Sequence, residues 1–235
     1  RYAYMWGREV PKGHGRPMVL PEGKEDPPYS CRFFCAYFLC GLKPPFPDFF
    51  EVMMVVYGFH LLDFTPNAMA CMAIFVHLWE NFIGVAPNVD LFRHFFVLRL
   101  EDKTHHTGNI SCIPRDKRNV WDYLPCQQRG RWEEWRLDWC WIQDVDAPEY
   151  CRARTECVAC SSDWGKPGLT DDRLCSVLNR IARLKAVGLT IEQVGADFLQ
   201  RHIARCRKGT SSPGGMDATD GMRLYPGLTK NFSIY

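Results

Sequence analysis

Cys157 and Cys160 stand two residues apart with Cys151 just upstream, which is half the spacing of a structural zinc site. Such a site closes only with four tetrahedral ligands, and no second Cys or His pair follows at the required distance, so the sequence predicts no metal site. Cys31 and Cys35 lie one helical turn apart and are read as packing residues. His105-His106 falls in a polar stretch without further ligands and reads as a solvated loop. His77 lies one turn from Glu80 and Asn81 on an apolar helix, which suits a hydrogen-bonded core histidine rather than a catalytic base. Phosphoryl transfer would need three separated carboxylates around divalent metal. With 27 acidic residues any three can be chosen, so the pattern singles out none. No catalytic residue and no cofactor are expected, and the segment is read as non-enzymatic.

The one notable charge cluster is basic. Arg173, Arg180, Arg183 and Lys185 fall on one predicted helix, and Arg201, His202, Arg205, Arg207 and Lys208 on and beyond the next. Phosphate contacts are the functional reading, with Arg180, Arg183, Lys185, Arg201, Arg205, Arg207 and Lys208 as the candidate nucleic-acid-binding residues. Gly188-Leu189-Thr190 resembles the entry to a helix-turn-helix, but no recognition helix follows. The plainer reading is that cations near helix C-termini complement the helix dipole and are solvated. The net charge of +2 gives the chain as a whole no strong attraction to nucleic acid or membrane.

The elements that would position these residues are organised around residues 62–84. Thr65 is an N-cap, Pro66 suits the first helical position, and Gly84 suits the left-handed residue that ends a helix. Between them Met69, Met72, Ala73, Val76, Trp79 and Ile83 share one face, while Ile74, Phe75, Leu78 and Phe82 cover much of the rest. A helix apolar nearly all round is buried on several sides. Ser30 is expected to cap a helix to about Leu39. Asp48 and Glu51 form a predicted capping box opening a helix to Gly58, and Asn88 begins a short helix to Phe95. The pattern then changes. Residues 96–100, 109–113, 119–124 and 137–142 read as short strands of a small, aromatic-rich antiparallel sheet. Thr170 is expected to cap a helix with a stripe of Leu174, Val177, Leu178, Ile181 and Leu184. After Gly188, a Thr190/Gln193 capping box opens a second helix lined by Ile191, Val194, Phe198, Leu199 and Ile203, which completes an αα-hairpin.

The predicted fold class is therefore α+β, mainly α. An irregular segment (1–29) precedes a single mixed domain (30–206) and a flexible tail (207–235). Within the domain come a helical unit (30–96), the small sheet (97–142), a loop (143–169) and the αα-hairpin (170–206). Hydrophobic residues at 46% and charged residues at 24% exclude global disorder. His77, Glu80 and Asn81 interrupt the best membrane-span candidate. The expectation is a soluble intracellular protein, cytoplasmic or nuclear, with no membrane partner. Several of the 12 cysteines sit inside apolar helical patterns, as reduced buried thiols do. Because Arg1 is the first residue, the chain is expected to be an excerpt of a longer product.

Taken together, Leu20-Pro21-Glu22-Gly23, Gly41-Leu42 with Pro44 and Pro47, Thr65-Pro66-Asn67-Ala68, Phe75-Val76-His77-Leu78 and Phe82-Ile83-Gly84-Val85 resemble the putative gypsy-type transposon domain of plant genomes. That domain occurs in Gag-like or Gag-adjacent products of long-terminal-repeat retroelements. The similarity continues through Trp121, Tyr123, Trp135, Trp139 and Ile142, then Arg180-Ile181, Gly188-Leu189-Thr190, Asp197-Phe198-Leu199 and Met222-Arg223-Leu224, so it spans about residues 16–228. Arg205-Cys206 and the cysteines at 151–160 depart from the pattern. Asp220-Gly221 lacks the Thr or Ser between them that a retroelement protease uses. The resemblance implies origin in a mobile element and carries over no catalytic residues. Two functions stay open on the residues: a Gag-like protein in self-association or packaging, and a module binding RNA or DNA through the basic hairpin. A metal-dependent nuclease or transposase is a distant third, and a degenerate copy without selected activity stays open beside all three.

Overall fold

The computed structural model describes residues 30–42, 46–101, 107–115, 135–137, 139–143, 149–151, 158, 161–166 and 172–203. The predicted strand at 119–124, His105-His106, Cys157, Cys160, Thr170 and both termini lie outside the described residues.

Four strands and six α-helices are used below. β1 (Ser30–Phe34) runs into α1 (Cys35–Leu39), and α2 spans Asp48–Tyr57. α3 (Pro66–Leu78) is the central helix, and α4 (Val89–Phe95) leads directly into β2 (Phe96–Leu100). β3 (Ile110–Pro114) and β4 (Trp139–Gln143) follow, then α5 (Asp172–Ala186) and α6 (Ile191–Phe198). The class is α+β, mainly α, as the sequence predicts.

α3 starts where its residues dictate. Thr65 Oγ1 accepts the Ala68 N–H at 3.2 Å, and Pro66 occupies the first turn, where its missing N–H costs nothing. The helical path continues through a wider π-helical turn, Trp79–Ile83, and ends at Gly84 with φ 71°. Met69, Met72, Ile74, Phe75, Leu78 and Trp79 are all buried, so the expected burial on several sides holds. Phe75 is the hub. Its ring centroid lies 5.4 Å from Phe49, 5.2 Å from Phe92, 6.1 Å from Phe96 and 5.4 Å from Trp79. Such edge-to-face and tilted pairs add roughly 0.5–1.5 kcal/mol each beyond simple burial.

Two helix starts were read incorrectly from sequence. The segment from Ser30 is first a strand and becomes helical only at Cys35. Phe33, Phe34, Tyr37 and Phe38 suit either geometry locally. The choice is made by β4, over a hundred residues further along, which pairs antiparallel with β1 from Ser30↔Gln143 to Phe34↔Trp139. Asp48 is not the cap of α2. Pro47 holds that position in extended geometry (φ −61°, ψ 141°), and its carbonyl accepts the Glu51 N–H at 3.2 Å. Asp48 and Glu51 instead lie in the first turn, where their charge favours the helix dipole. The Thr190/Gln193 capping box stands, and Asn88, the expected start of a helix, is the cap of α4. Asn88 Oδ1 accepts the Leu91 N–H at 2.9 Å, and Thr190 and Gln193 exchange side-chain bonds with each other's backbone.

Among the described residues the strands form two two-stranded antiparallel ladders, β1–β4 and β2–β3. The second is in register from Phe96↔Pro114 to Leu100↔Ile110. A parallel bridge between Phe64 and Ile110 joins it to the segment that enters α3. There the Thr65 N–H donates to the Ile110 carbonyl, and the Gly108 and Asn109 N–H groups donate to Leu62 and Asp63. Tyr37 closes the same corner by donating its hydroxyl to the Phe64 carbonyl at 2.6 Å. Burial and the nearby Asp63 carboxylate push that phenol well above its ordinary pKa, so it acts as a donor.

Candidate functional site

The predicted αα-hairpin is present, and it docks on the central helix by polar contacts that its apolar stripe alone would not specify. Val177 and Ile181 of α5 and Ile191, Val194 and Phe198 of α6 are buried. His77 is 2% exposed on α3, two residues before the point where the α-helix widens at Trp79. Asp197 lies on α6, two residues before a second π-helical turn, Leu199–Ile203. Their side chains meet at 2.8 Å. On the other side of the ring, the Asn81 side-chain amide donates to Nδ1 at 3.1 Å and to the His77 carbonyl at 3.2 Å. With Nδ1 accepting, the ring proton sits on Nε2 and is donated to Asp197. Both ring nitrogens are thus engaged in positioning. Phe82 and Phe198 pack edge-on at 5.9 and 5.5 Å.

Asp197 also receives Arg201 Nε, at 2.9 Å on one oxygen and 2.7 Å on the other. Burial by itself would raise the Asp197 pKa. The hydrogen bonds from Arg201 and His77, together with the Arg201 charge, outweigh that and hold the carboxyl below its usual value. Sequence reading named Asn81 and Glu80 as neighbours of His77 but missed Asp197. The signal was there, an acid beside the buried stripe of one helix and a histidine inside the buried face of another, but nothing in either helix alone pairs them.

The basic candidates divide. Arg180 Nη1 donates to the Ile83 carbonyl at 2.8 Å, at the end of the π-helical turn, so this cation docks α5 on the central element. Arg201 is exposed but paired with Asp197. Arg183 is exposed and Lys185 half-buried on α5. Arg205, Arg207 and Lys208 lie outside the described residues. The structure therefore brings Arg180 and Arg201 to the docking interface rather than to one free basic face. Among the described residues, no group of three or more His, Cys, Asp or Glu could hold a metal ion, and no helix is long and apolar enough to cross a membrane.

α2 presents a different kind of surface. Phe49, Phe50, Met53 and Met54 are buried, while Val52, Val55 and Val56 are exposed at 47%, 75% and 48%. Spaced i, i+3, i+4, these valines form one outward stripe. Arg93 buttresses the end of α2, with its guanidinium 4.9 Å over the Tyr57 ring and Nε donating to the Tyr57 hydroxyl at 2.9 Å.

A family model described as "Putative gypsy type transposon" matches residues 32–100. Residues 32–100 are a gypsy-type transposon domain. No curated protein and no solved structure matches the chain. The gypsy-type segment contains α1 to α4, β2 and the last three residues of β1. It holds His77, Ile83 and the valine stripe. Asp197 and Arg180, which meet His77 and Ile83, come from beyond it, as do both strand partners, β3 and β4.

Proposed function

We propose that this transposon-derived chain is a Gag-like, non-enzymatic protein of a plant long-terminal-repeat retroelement that works inside the cell by self-association. The observation that carries the reading is the outward stripe of Val52, Val55 and Val56 within the gypsy-type segment. Valine has no particular helix propensity, and these three leave 47%, 75% and 48% of their surface exposed in the monomer. Two copies packing α2 against α2 about a two-fold axis would remove both stripes from water through one self-complementary patch. The engagement of both His77 nitrogens in helix docking agrees with a non-enzymatic role.

Sedimentation velocity across a concentration series tests it. A mass that rises with concentration, and falls back to monomer in Val52→Glu/Val55→Glu with unchanged circular dichroism, is the expected result. A wild-type chain that stays monomeric up to high micromolar concentration refutes it.

A second reading, binding of RNA or DNA, draws on exposed Arg183 beside Arg180 on α5. Fluorescence anisotropy with labelled RNA and DNA across a salt series separates the two. Steeply salt-dependent binding, weakened when Arg183 is neutralised, supports packaging through the hairpin, and no binding at low salt removes it.

A further inference from the structure

Cys71 lies mid-way along α3 and Cys112 mid-way along β3, both half-buried where helix and strand pack together. Their sulfurs are 3.2 Å apart, in thiol–thiol contact, although the residues are 41 positions apart in sequence. Cys40 donates to the Pro66 carbonyl, and Cys175 is exposed on α5.

We propose that Cys71 and Cys112 are a redox modification site: they close to a disulfide on exposure to a low-molecular-weight disulfide and tie β3 to the central helix. A bond length of about 2.05 Å leaves roughly 1 Å of approach to be made. Exchange proceeds through the thiolate of one cysteine attacking the small disulfide, RSSR. A protein–SR bond forms and RS⁻ leaves. The second cysteine, as thiolate, then attacks the protein sulfur of that mixed disulfide and expels the second RS⁻. The two protons released by the cysteines end on the two RSH. RSSR is reduced by two electrons, and the two thiols are oxidised to one disulfide. Burial, reinforced by the hydrogen bond that the Cys112 thiol shares with Cys71, pushes Cys112 above its ordinary range. Each attack needs a thiolate, so the reaction accelerates at alkaline pH.

The test uses the full chain equilibrated in buffers of reduced and oxidised glutathione, acid-quenched, alkylated with N-ethylmaleimide and mapped by mass spectrometry after digestion. A Cys71–Cys112 linked peptide that forms in native buffer is expected. It should bring a rise of about 10 °C in Tm that dithiothreitol reverses and that Cys71→Ala and Cys112→Ala both lack. The proposal is overturned if both cysteines are recovered separately alkylated from the oxidised, folded chain. A linked peptide that forms only in urea overturns it equally. If the alanine variants fail to fold, the peptide map of the wild-type chain decides alone.

Discussion

Asp197→Ala is the substitution that most directly tests how the hairpin is held. The carboxylate serves two partners of unequal importance. His77 is 2% exposed, so removing Asp197 takes this acceptor from a buried imidazole N–H, which costs about 1–3 kcal/mol. Arg201 is 52% exposed and returns to water when released, so its share is about 0–1 kcal/mol. Asp197→Ala should therefore destabilise by roughly 2–3 kcal/mol, while Arg201→Ala costs no more than about 1 kcal/mol. Because His77 and Asp197 touch, the double variant His77→Ala/Asp197→Ala should be less damaged than the two singles summed, by about 1–2 kcal/mol. Urea unfolding followed by circular dichroism gives these values from the midpoints at constant slope. If Asp197→Ala and Arg201→Ala agree within about 0.5 kcal/mol and the coupling to His77 is nil, the buried histidine is not what the acid serves, and the argument fails.

Three further outcomes follow from the same structure. Gly41 has φ 82°, and a Cβ placed there would run into the Phe198 ring of α6; Gly41→Ala should cost about 1–3 kcal/mol and increase proteolysis within the hairpin first. The Asp197 carboxyl is held below its unfolded value, so its contribution to stability is complete above the ordinary Asp range and is lost as pH falls through the lowered value. An acid titration should accordingly show loss of stability beginning below about pH 4, and the step should be smaller in Asp197→Asn. Thr65→Ala removes the cap of α3 and should lower the unfolding free energy by about 1 kcal/mol, read from the urea midpoint.

What the sequence discloses here tracks how local each decision is. The start of α3 at Thr65 and Pro66, and the end at Gly84 of the π-helical turn that continues it, are set by local residues and are legible. So are the Thr190/Gln193 capping box and the buried stripe of Val177 and Ile181. β1 is not legible, because its aromatic residues fit two geometries and the deciding partner is β4. The separation of the strands into two ladders is hidden for the same reason: alternation marks a strand but names no neighbour. The docking contacts are also non-local. Arg180 reads in sequence as a surface cation, and only the approach of α5 to the end of the π-helical turn shows it donating to Ile83. The gypsy-type resemblance came from order and spacing of many weak motifs, and the family match confines its firm support to residues 32–100.

The pairing of β1 with β4 also has a meaning in time. At synthesis rates of roughly 5–20 residues per second, β1 emerges some 5–20 s before Trp139–Gln143 exists. For that interval the backbone groups it will share with β4 have no strand to bond, and Phe34 lacks the Trp135 ring that later packs 4.8 Å away. A nascent chain in this state carries an open strand edge, the usual template for unwanted association. Termination anywhere between Leu100 and Trp139 would make that state permanent, leaving a product that retains the whole recognisable gypsy-type segment yet cannot complete its first ladder.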